Sequence, residues 1–269
     1  INTMMDNKWL GSKTGQGFYK KHVSSNGKKE ILSLDLNTLE YREKKRANFA
    51  TLELTKTVDK VVDRFKILVK GKDKAGEFYR KSFAALFAYV SNRIPEITND
   101  LYKIDDAMKA GFGWEHGPFQ IWDAIGVEKG IEMMRAEGLQ PNAWINDMLA
   151  SGSTSFYTVK DGATYAYDIP QKTQQKIPGQ DSFIILDNIR KSNEVYKNSG
   201  VVIEDLGDGI LNLEFQSKMN TIGGDVLAGL NKAIDLAEKD FAGLVVGNQA
   251  ANFSVGANIG MIFMMAVEQ

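Results

Sequence analysis

A mainly α chain with β-hairpins, followed by the opening of a truncated α/β unit, is the fold class the sequence predicts. Three observations predict it. Apolar residues recur at helical spacing through residues 46–94, and glycines then divide residues 104–138 into short helices. Two glycine-turn hairpins, each entered through a Phe-Tyr pair, flank that helical stretch. From residue 200 the pattern becomes strand, strand, helix, strand, loop and helix, the alternation of an α/β fold.

The first hairpin follows two breaks at Gly15 and Gly17. FYKKHV and EILSLDL read as strands around a Ser-Asn-Gly turn. From Arg46 to Val69, Val58, Val61, Val62, Phe65 and Leu68 keep helical spacing. Residues 77–94 carry Phe83, Leu86, Phe87, Val90 and Ile94 on one stripe, and Pro95 is expected to follow the helix end. Ile104 to Ala110 is expected to close at Gly111. Pro118 suits the first turn of the next helix, with Gly126 as its stop, and Val127, Ile131 and Met134 mark a third that Gly138 ends.

GSTSFYTVKDGATYAYDI, from Gly152 to Ile169, repeats the plan of GQGFYKKHVSSNGKKEILSLDL, so the two hairpins are expected to be copies. PQKTQQKIPGQDS reads as a polar linker. Beyond it, VVIEDL and ILNLEF flank a Gly-Asp-Gly turn. DVLAGLNKAIDLAEKD is amphipathic, with Val226, Leu230, Ile234 and Ala237 inward, and GLVVGN reads as a short buried strand. The expected division is 1–45, the tail of a first unit; 46–169, a complete second unit; 170–199, a linker; and 200–269, the start of the α/β unit.

Composition excludes several functions. Net charge is -1 and pI about 6.2, which asks for neither nucleic acid nor an anionic membrane. The lysine clusters KKHVSSNGKKE and YREKKR interleave with acids and read as solvated faces. Cysteine is absent, so disulfides and thiolate metal sites are excluded, and His22 and His116 lie too far apart to suggest a metal site. No signal peptide or membrane span is read, so the expected location is the cytoplasm. The first residue is Ile, which suggests a piece of something longer.

Known catalytic patterns are mostly missing. No GxGxxG follows a strand, and there is no P-loop. His116, in WEHGPF, reads as a structural or solvent-facing residue. Asp105 and Asp106, being adjacent, point different ways on a helix and read as capping or surface groups rather than an acid/base pair. The best chemical candidate is the last loop, where Ser254, Gly256 and Ala257 lead straight into a helix. Backbone N–H groups there are unpaired at the positive end of the dipole and would suit an oxyanion, although many tight turns look the same.

Two stretches of the chain resemble known families. SKTGQGFYKK resembles the KTGxGFY signature of the C-terminal helical domain of 3-hydroxyacyl-CoA dehydrogenases. NRIPEITNDLYKIDDAMKAGFGWEHGPFQIWDAIGV is similar to the same domain's NR…E…IDxAMxxGxGxPxGPFxLxDxxG pattern, with Glu115-His116 in place of Pro-Met. DGILNLEFQSKMNTIGGDVLAGLNKAI and GLVVGNQAANFSVGANIGMI resemble the opening of the enoyl-CoA hydratase (crotonase) family, with Val255 for the usual Ala and Asn258 for the usual Asp.

The resemblance implies a fragment of a bifunctional fatty-acid β-oxidation enzyme. Its parent would oxidise an L-3-hydroxyacyl-CoA with NAD, and the fused part would hydrate an enoyl-CoA or bind acyl-CoA without chemistry. It implies Ala257 N–H as an oxyanion donor, Gly256 as the point of thioester approach, and Lys218 and Met219 as neighbours of the CoA. Asn92 matches a substrate-contacting Asn of the family, but in this second copy helix packing is expected of it. NAD would be bound by a domain outside the fragment, acyl-CoA would be the substrate, and no metal is needed. The parent would be a homodimer or larger. The fragment itself is expected to be inactive, without the family's catalytic His–Glu and Glu–Glu pairs. Its closing apolar residues Met261, Phe263, Met264 and Met265 are expected to be covered by another chain or by the helical unit. The rival is a non-catalytic helical scaffold for dimerisation or acyl-CoA binding.

Overall fold

The computed structural model describes residues 1–45 and 47–267. It opens with a short helix, α1 (Asn2–Asp6), and an antiparallel meander of β1 (Tyr19–Val23), β2 (Lys29–Leu34) and β3 (Tyr41–Glu43). Seven helices follow: α2 (Ala50–Thr55), α3 (Val61–Lys70), α4 (Lys74–Ile97), α5 (Leu101–Phe112), α6 (Pro118–Ile125), α7 (Val127–Ala136) and α8 (Ala143–Ala150).

The helix expected from Arg46 to Val69 is two helices, with Arg46 outside the described residues. The break falls at the adjacent β-branched residues Thr57 and Val58, which lose side-chain freedom in a helix. Arg64 holds the break by donating to the Val58 carbonyl at 2.6 Å. α4 starts earlier than its apolar stripe because Asp73 caps it. The Asp73 carboxylate accepts from Gly76 N–H at 3.0 Å and from the backbone and hydroxyl of Thr51 at 2.9 and 2.7 Å. Those bonds, the Thr51 N–H first, lower its pKa to about 2.

Pro95 lies inside α4 rather than after it. A proline leaves the carbonyl four residues earlier without its helical donor. Here that carbonyl, on Ser91, accepts the Trp144 indole N–H at 2.9 Å, so the interruption ties α4 to α8. α5 also runs through Gly111 and ends at Gly113, whose φ of +65° favours glycine.

The helical body closes over an aromatic core. The Phe87 and Trp122 rings stack at 4.7 Å. Phe156, on the segment entering the second meander, sits 5.0 Å from both Phe119 and Trp122 and 6.0 Å from Trp144. The meander consists of β4 (Tyr157–Lys160), β5 (Ala163–Asp168) and β6 (Thr173–Lys176). The stretch read as a polar linker therefore supplies a strand. It continues into α9 (Leu186–Ile189) and β7 (Glu194–Lys197).

The two meanders match bond for bond. Leu34 N–H donates to Phe18 O at 2.9 Å, and Tyr167 N–H to Phe156 O at 2.8 Å. Seven positions beyond each donor, the Tyr41 hydroxyl reaches Gly17 O at 2.6 Å and the Gln174 amide reaches Ser155 O at 3.0 Å. Both segments expected to be copies are hairpins entered through Phe-Tyr, and each gains a third strand.

The last stretch has the element order read from the sequence: β8 (Val201–Asp205), β9 (Ile210–Phe215), α10 (Gly224–Asp240), β10 (Gly243–Val246) and α11 (Ile259–Val267). The sheet order is β10-β9-β8-β7, with β9 and β10 parallel across α10 and the other pairs antiparallel. α10 buries Val226 and Ala233 on this sheet, whereas Ile234, expected inward, is exposed. Ala233 continues the Val226 stripe at a spacing of seven, and Ile234 falls off it. β10 is an edge strand, so Val245 and Val246 are exposed rather than buried.

α9 joins the two parts. Asn188 on it donates to Gly162 O at 3.1 Å and to the Thr164 hydroxyl at 2.9 Å in the second meander. Arg190, just after it, donates to both oxygens of Glu214 on β9 at 2.8–3.1 Å. Glu204, fully buried on β8, lies 3.8 Å from Arg190. Burial pushes the Glu204 carboxyl above the ordinary glutamate range.

Candidate functional site

The loop of residues 252–258 is built by a clasp with residues 220–222. Asn220 is the last residue of a one-turn 3-10 helix (Lys218–Asn220) and is buried, at a φ of +55° that favours asparagine among non-glycine residues. Its side-chain amide donates to Asn252 O at 2.9 Å. Its own carbonyl accepts the Ser254 hydroxyl at 2.6 Å, and that hydroxyl oxygen accepts Gly256 N–H at 2.9 Å. Ile222 then bridges the far side: its N–H donates to Gly256 O, and its carbonyl accepts from Asn258 N–H, both at 2.9 Å. Gly256 sits at a φ of +94°, a conformation that L side chains rarely adopt.

Ile222 thus grips the residues on either side of Ala257 in a parallel bridge. In that pattern the middle residue's own N–H and C=O turn away from the gripping strand. Among the described residues the Ala257 N–H has no acceptor.

Ala257 and Lys218 border one cavity of about 520 Å³, together with Ser217, Thr221, Gly223 and Asn258. Gly223 is the N-terminal cap residue of α10, which has no side-chain cap bond. Asn258 accepts from Met261 N–H at 3.2 Å and so caps the first turn of α11. Of the residues read from the sequence, the fold therefore brings Ala257 and Lys218 to one cavity, with Gly256 next to Ala257 in the chain. Met219 is 62% exposed and does not line that cavity.

Asn92 lies elsewhere, in the helical body. Its amide donates to Ala88 O at 2.8 Å and Gln140 O at 3.4 Å, tying α4 to the entry of α8. His116 packs edge-on to Phe65 at 6.0 Å. Asp105 and Asp106 divide their roles. Asp106 pairs with Lys109 at 2.7 Å on the surface. Asp105 is buried and accepts from Phe119 and Gln120 N–H at the start of α6, at 2.9 and 3.0 Å. Burial raises its pKa to about 6, and that of Asp123, nearby on α6, to about 7.

The closing apolar residues find no cover in the helical unit. Met261 is half-buried, but Phe263 is 65% and Met264 59% exposed. The side chain of Met265 lies outside the described residues. Among the described residues no other helix or strand packs extensively on α11.

Sequence reading did not assign a role to Asn220. Its available signal was an asparagine just ahead of a glycine pair, a residue tolerant of left-handed backbone. Among the described residues no three His, Cys, Asp or Glu side chains gather as a metal site. No helix among them is long and apolar enough to cross a membrane.

Over 265 residues, 98% of its length, the chain is 38% identical to a probable 3-hydroxyacyl-CoA dehydrogenase of Bacillus subtilis, covering 33% of that protein. It is 24% identical over 266 residues to a putative fatty acid oxidation complex trifunctional enzyme of Rickettsia felis, and 25% identical over 262 to one of Rickettsia prowazekii. In each case 97% of the chain and 32% of the relative are covered. The chain thus spans about a third of the length of the curated relatives it matches. No family model and no solved structure matches it. The relatives' names support the 3-hydroxyacyl-CoA dehydrogenase and fatty-acid oxidation family that the KTGQGFY and IDDAMKAGFG segments suggest.

Proposed function

We propose that these residues form the junction of a fused acyl-CoA-processing enzyme. A dehydrogenase-type helical unit, residues 46–169, is followed by the opening of a crotonase-type unit, residues 200–269. Residues 1–45 are the tail of a preceding copy of the helical unit, and 170–199 join the two, giving β6 to the second meander and β7 to the last sheet. The enzyme acts in fatty-acid β-oxidation in the cytoplasm, as a homodimer or larger assembly, on acyl-CoA thioesters.

The observation that carries this reading is the clasped loop with Ala257 at its centre. A thioester carbonyl oxygen placed against Ala257 N–H gains negative charge as water adds to the neighbouring double bond. A fixed N–H stabilises that charge more than the neutral carbonyl. Gly256 keeps a side chain out of the approach, and Lys218 at the cavity wall offers a cation for the anionic CoA. The similarity across nearly the whole chain, both units and their join, supports treating them as one polypeptide.

NAD does not fit these residues. No strand here leads into a helix through a GxGxxG loop, so no hydride step is derived from them. The cofactor would be held elsewhere in the gene product.

Activity tests the reading. The full-length gene product should form NADH from a 3-hydroxyacyl-CoA and hydrate crotonyl-CoA. The 269-residue chain alone should do neither, while retaining measurable acyl-CoA binding. NADH formed by the chain alone would contradict the division of labour. Absence of acyl-CoA binding would favour the rival reading, a helical scaffold for dimerisation.

A further inference from the structure

The candidate site owes its shape to a residue that does not border its cavity. We propose that Asn220 is the positioning residue of the oxyanion loop, fixing the Ala257 N–H through its side-chain bond to Asn252 O and its carbonyl bond to Ser254. This rests on the reading of that loop as an oxyanion site.

Three features single out Asn220. It is only 6% exposed, so the amide bond to Asn252 O at 2.9 Å is shielded from water. Its positive φ turns its carbonyl to the Ser254 hydroxyl, and the same hydroxyl oxygen receives Gly256 N–H. Two residues later Ile222 takes over the grip on Gly256 O and Asn258 N–H. A continuous run of bonds therefore leads from Asn220 to both neighbours of Ala257, and none of them uses the Ala257 N–H. Apart from this run the loop is held by the Phe253 ring, which packs on Phe215 of β9 at 5.7 Å although Phe253, like Val255, is largely exposed. Asn248 adds one bond, to Phe253 O at 3.0 Å, at the loop's start.

The two contributions of Asn220 separate by mutation. Asn220→Asp keeps the shape and tolerates the left-handed backbone but, ionised, cannot donate to Asn252 O. Asn220→Gly keeps the backbone conformation and removes the side chain. Neither change touches a group that would contact substrate.

Two readouts are needed. In the 269-residue chain, hydrogen exchange of a peptide covering residues 252–258 reports loop order without any activity. In the full-length gene product, steady-state hydration of crotonyl-CoA separates kcat from KM. Both variants should exchange that peptide at least about tenfold faster, with the exchange of α4 unchanged. Because misplacing a donor by about 1 Å costs on the order of 10²-fold, kcat should fall at least about tenfold while KM changes little. Unchanged exchange in both variants, or accelerated exchange with unchanged kcat, overturns the proposal. If the wild-type gene product hydrates no enoyl-CoA, the reading of the site fails, and exchange alone then decides whether Asn220 orders the loop.

Discussion

Tyr157 donates its phenolic hydrogen to the Asp105 carboxylate at 2.7 Å, joining the second meander to α5. The same corner is held again by Asp123, which accepts the backbone N–H of Phe156 and Tyr157 at 2.8 and 2.9 Å. Two buried carboxylates thus organise the join between the helices and the sheet. Tyr157→Phe should cost about 1.5–3 kcal/mol at pH 8, where Asp105 is ionised, because a hydrogen bond to a charged group is lost. Urea unfolding of the variant and the wild type measures this.

Those carboxylates also give the chain a pH dependence of unusual sign. Burial raises the folded-state pKa of Asp105 to about 6 and of Asp123 to about 7, from 3.8. Both bind a proton more tightly folded than unfolded. Their contribution is therefore complete below about pH 4 and is lost as pH rises through 6 and 7. Lys109 opposes the shift of Asp105, and Asp105 itself reinforces that of Asp123. We expect Asp123→Asn to flatten the fall in urea midpoint between pH 5 and 8. An equally steep fall in the variant would remove Asp123 as its cause.

The matched meanders differ in what covers them. Phe156 is fully buried among Phe119, Trp122 and Trp144, whereas its counterpart Phe18 is 51% exposed. Phe156→Ala should cost about 3–5 kcal/mol. Phe18→Ala in the same chain should stay within about 0.5 kcal/mol, as for an ordinary surface change. Thermal unfolding of both variants compares them directly, and equal losses would mean the two residues are held alike.

Much of this arrangement was legible in residue patterns. The Phe-Tyr pairs and glycine turns located both meanders, and the switch after residue 200 gave the order of the final elements. Other parts depend on contacts that spacing does not carry. Pro95 marks a helix end only if nothing takes the Ser91 carbonyl, and Trp144, fifty-three positions away, takes it. The polar run 170–182 looked unstructured because β6 is an edge strand with mostly exposed side chains. At the candidate site, Gly256 and Ala257 stood out by composition. Asn220 did not, since its role arises from a bond across thirty-two positions.

Arg190 presents a buried charge network that sequence gave no hint of. It pairs bidentately with Glu214 and lies beside the fully buried Glu204. Arg190→Met should destabilise by about 3–5 kcal/mol, because it leaves two buried carboxylates without their cation. Glu204 takes up a proton more readily than an ordinary glutamate, so the loss should shrink on acidification. Denaturation midpoints at pH 8 and pH 5 test both statements.

The central claim, that the clasped loop presents Ala257 N–H to a thioester oxygen, is tested most directly by deleting that N–H. Ala257→Pro does so in the full-length gene product, with circular dichroism to verify folding. Val255→Ala keeps every backbone donor while trimming a side chain that lines the cavity, so it serves as the control for kcat. Loss of an oxyanion donor typically costs about 10²–10³ in kcat, so we expect the proline variant to hydrate crotonyl-CoA at least about tenfold more slowly. The control should stay near wild type, and NAD-dependent oxidation of a 3-hydroxyacyl-CoA should survive both changes. Equal hydration rates for a correctly folded Ala257→Pro variant and the wild type would contradict the account and reduce the loop to a turn.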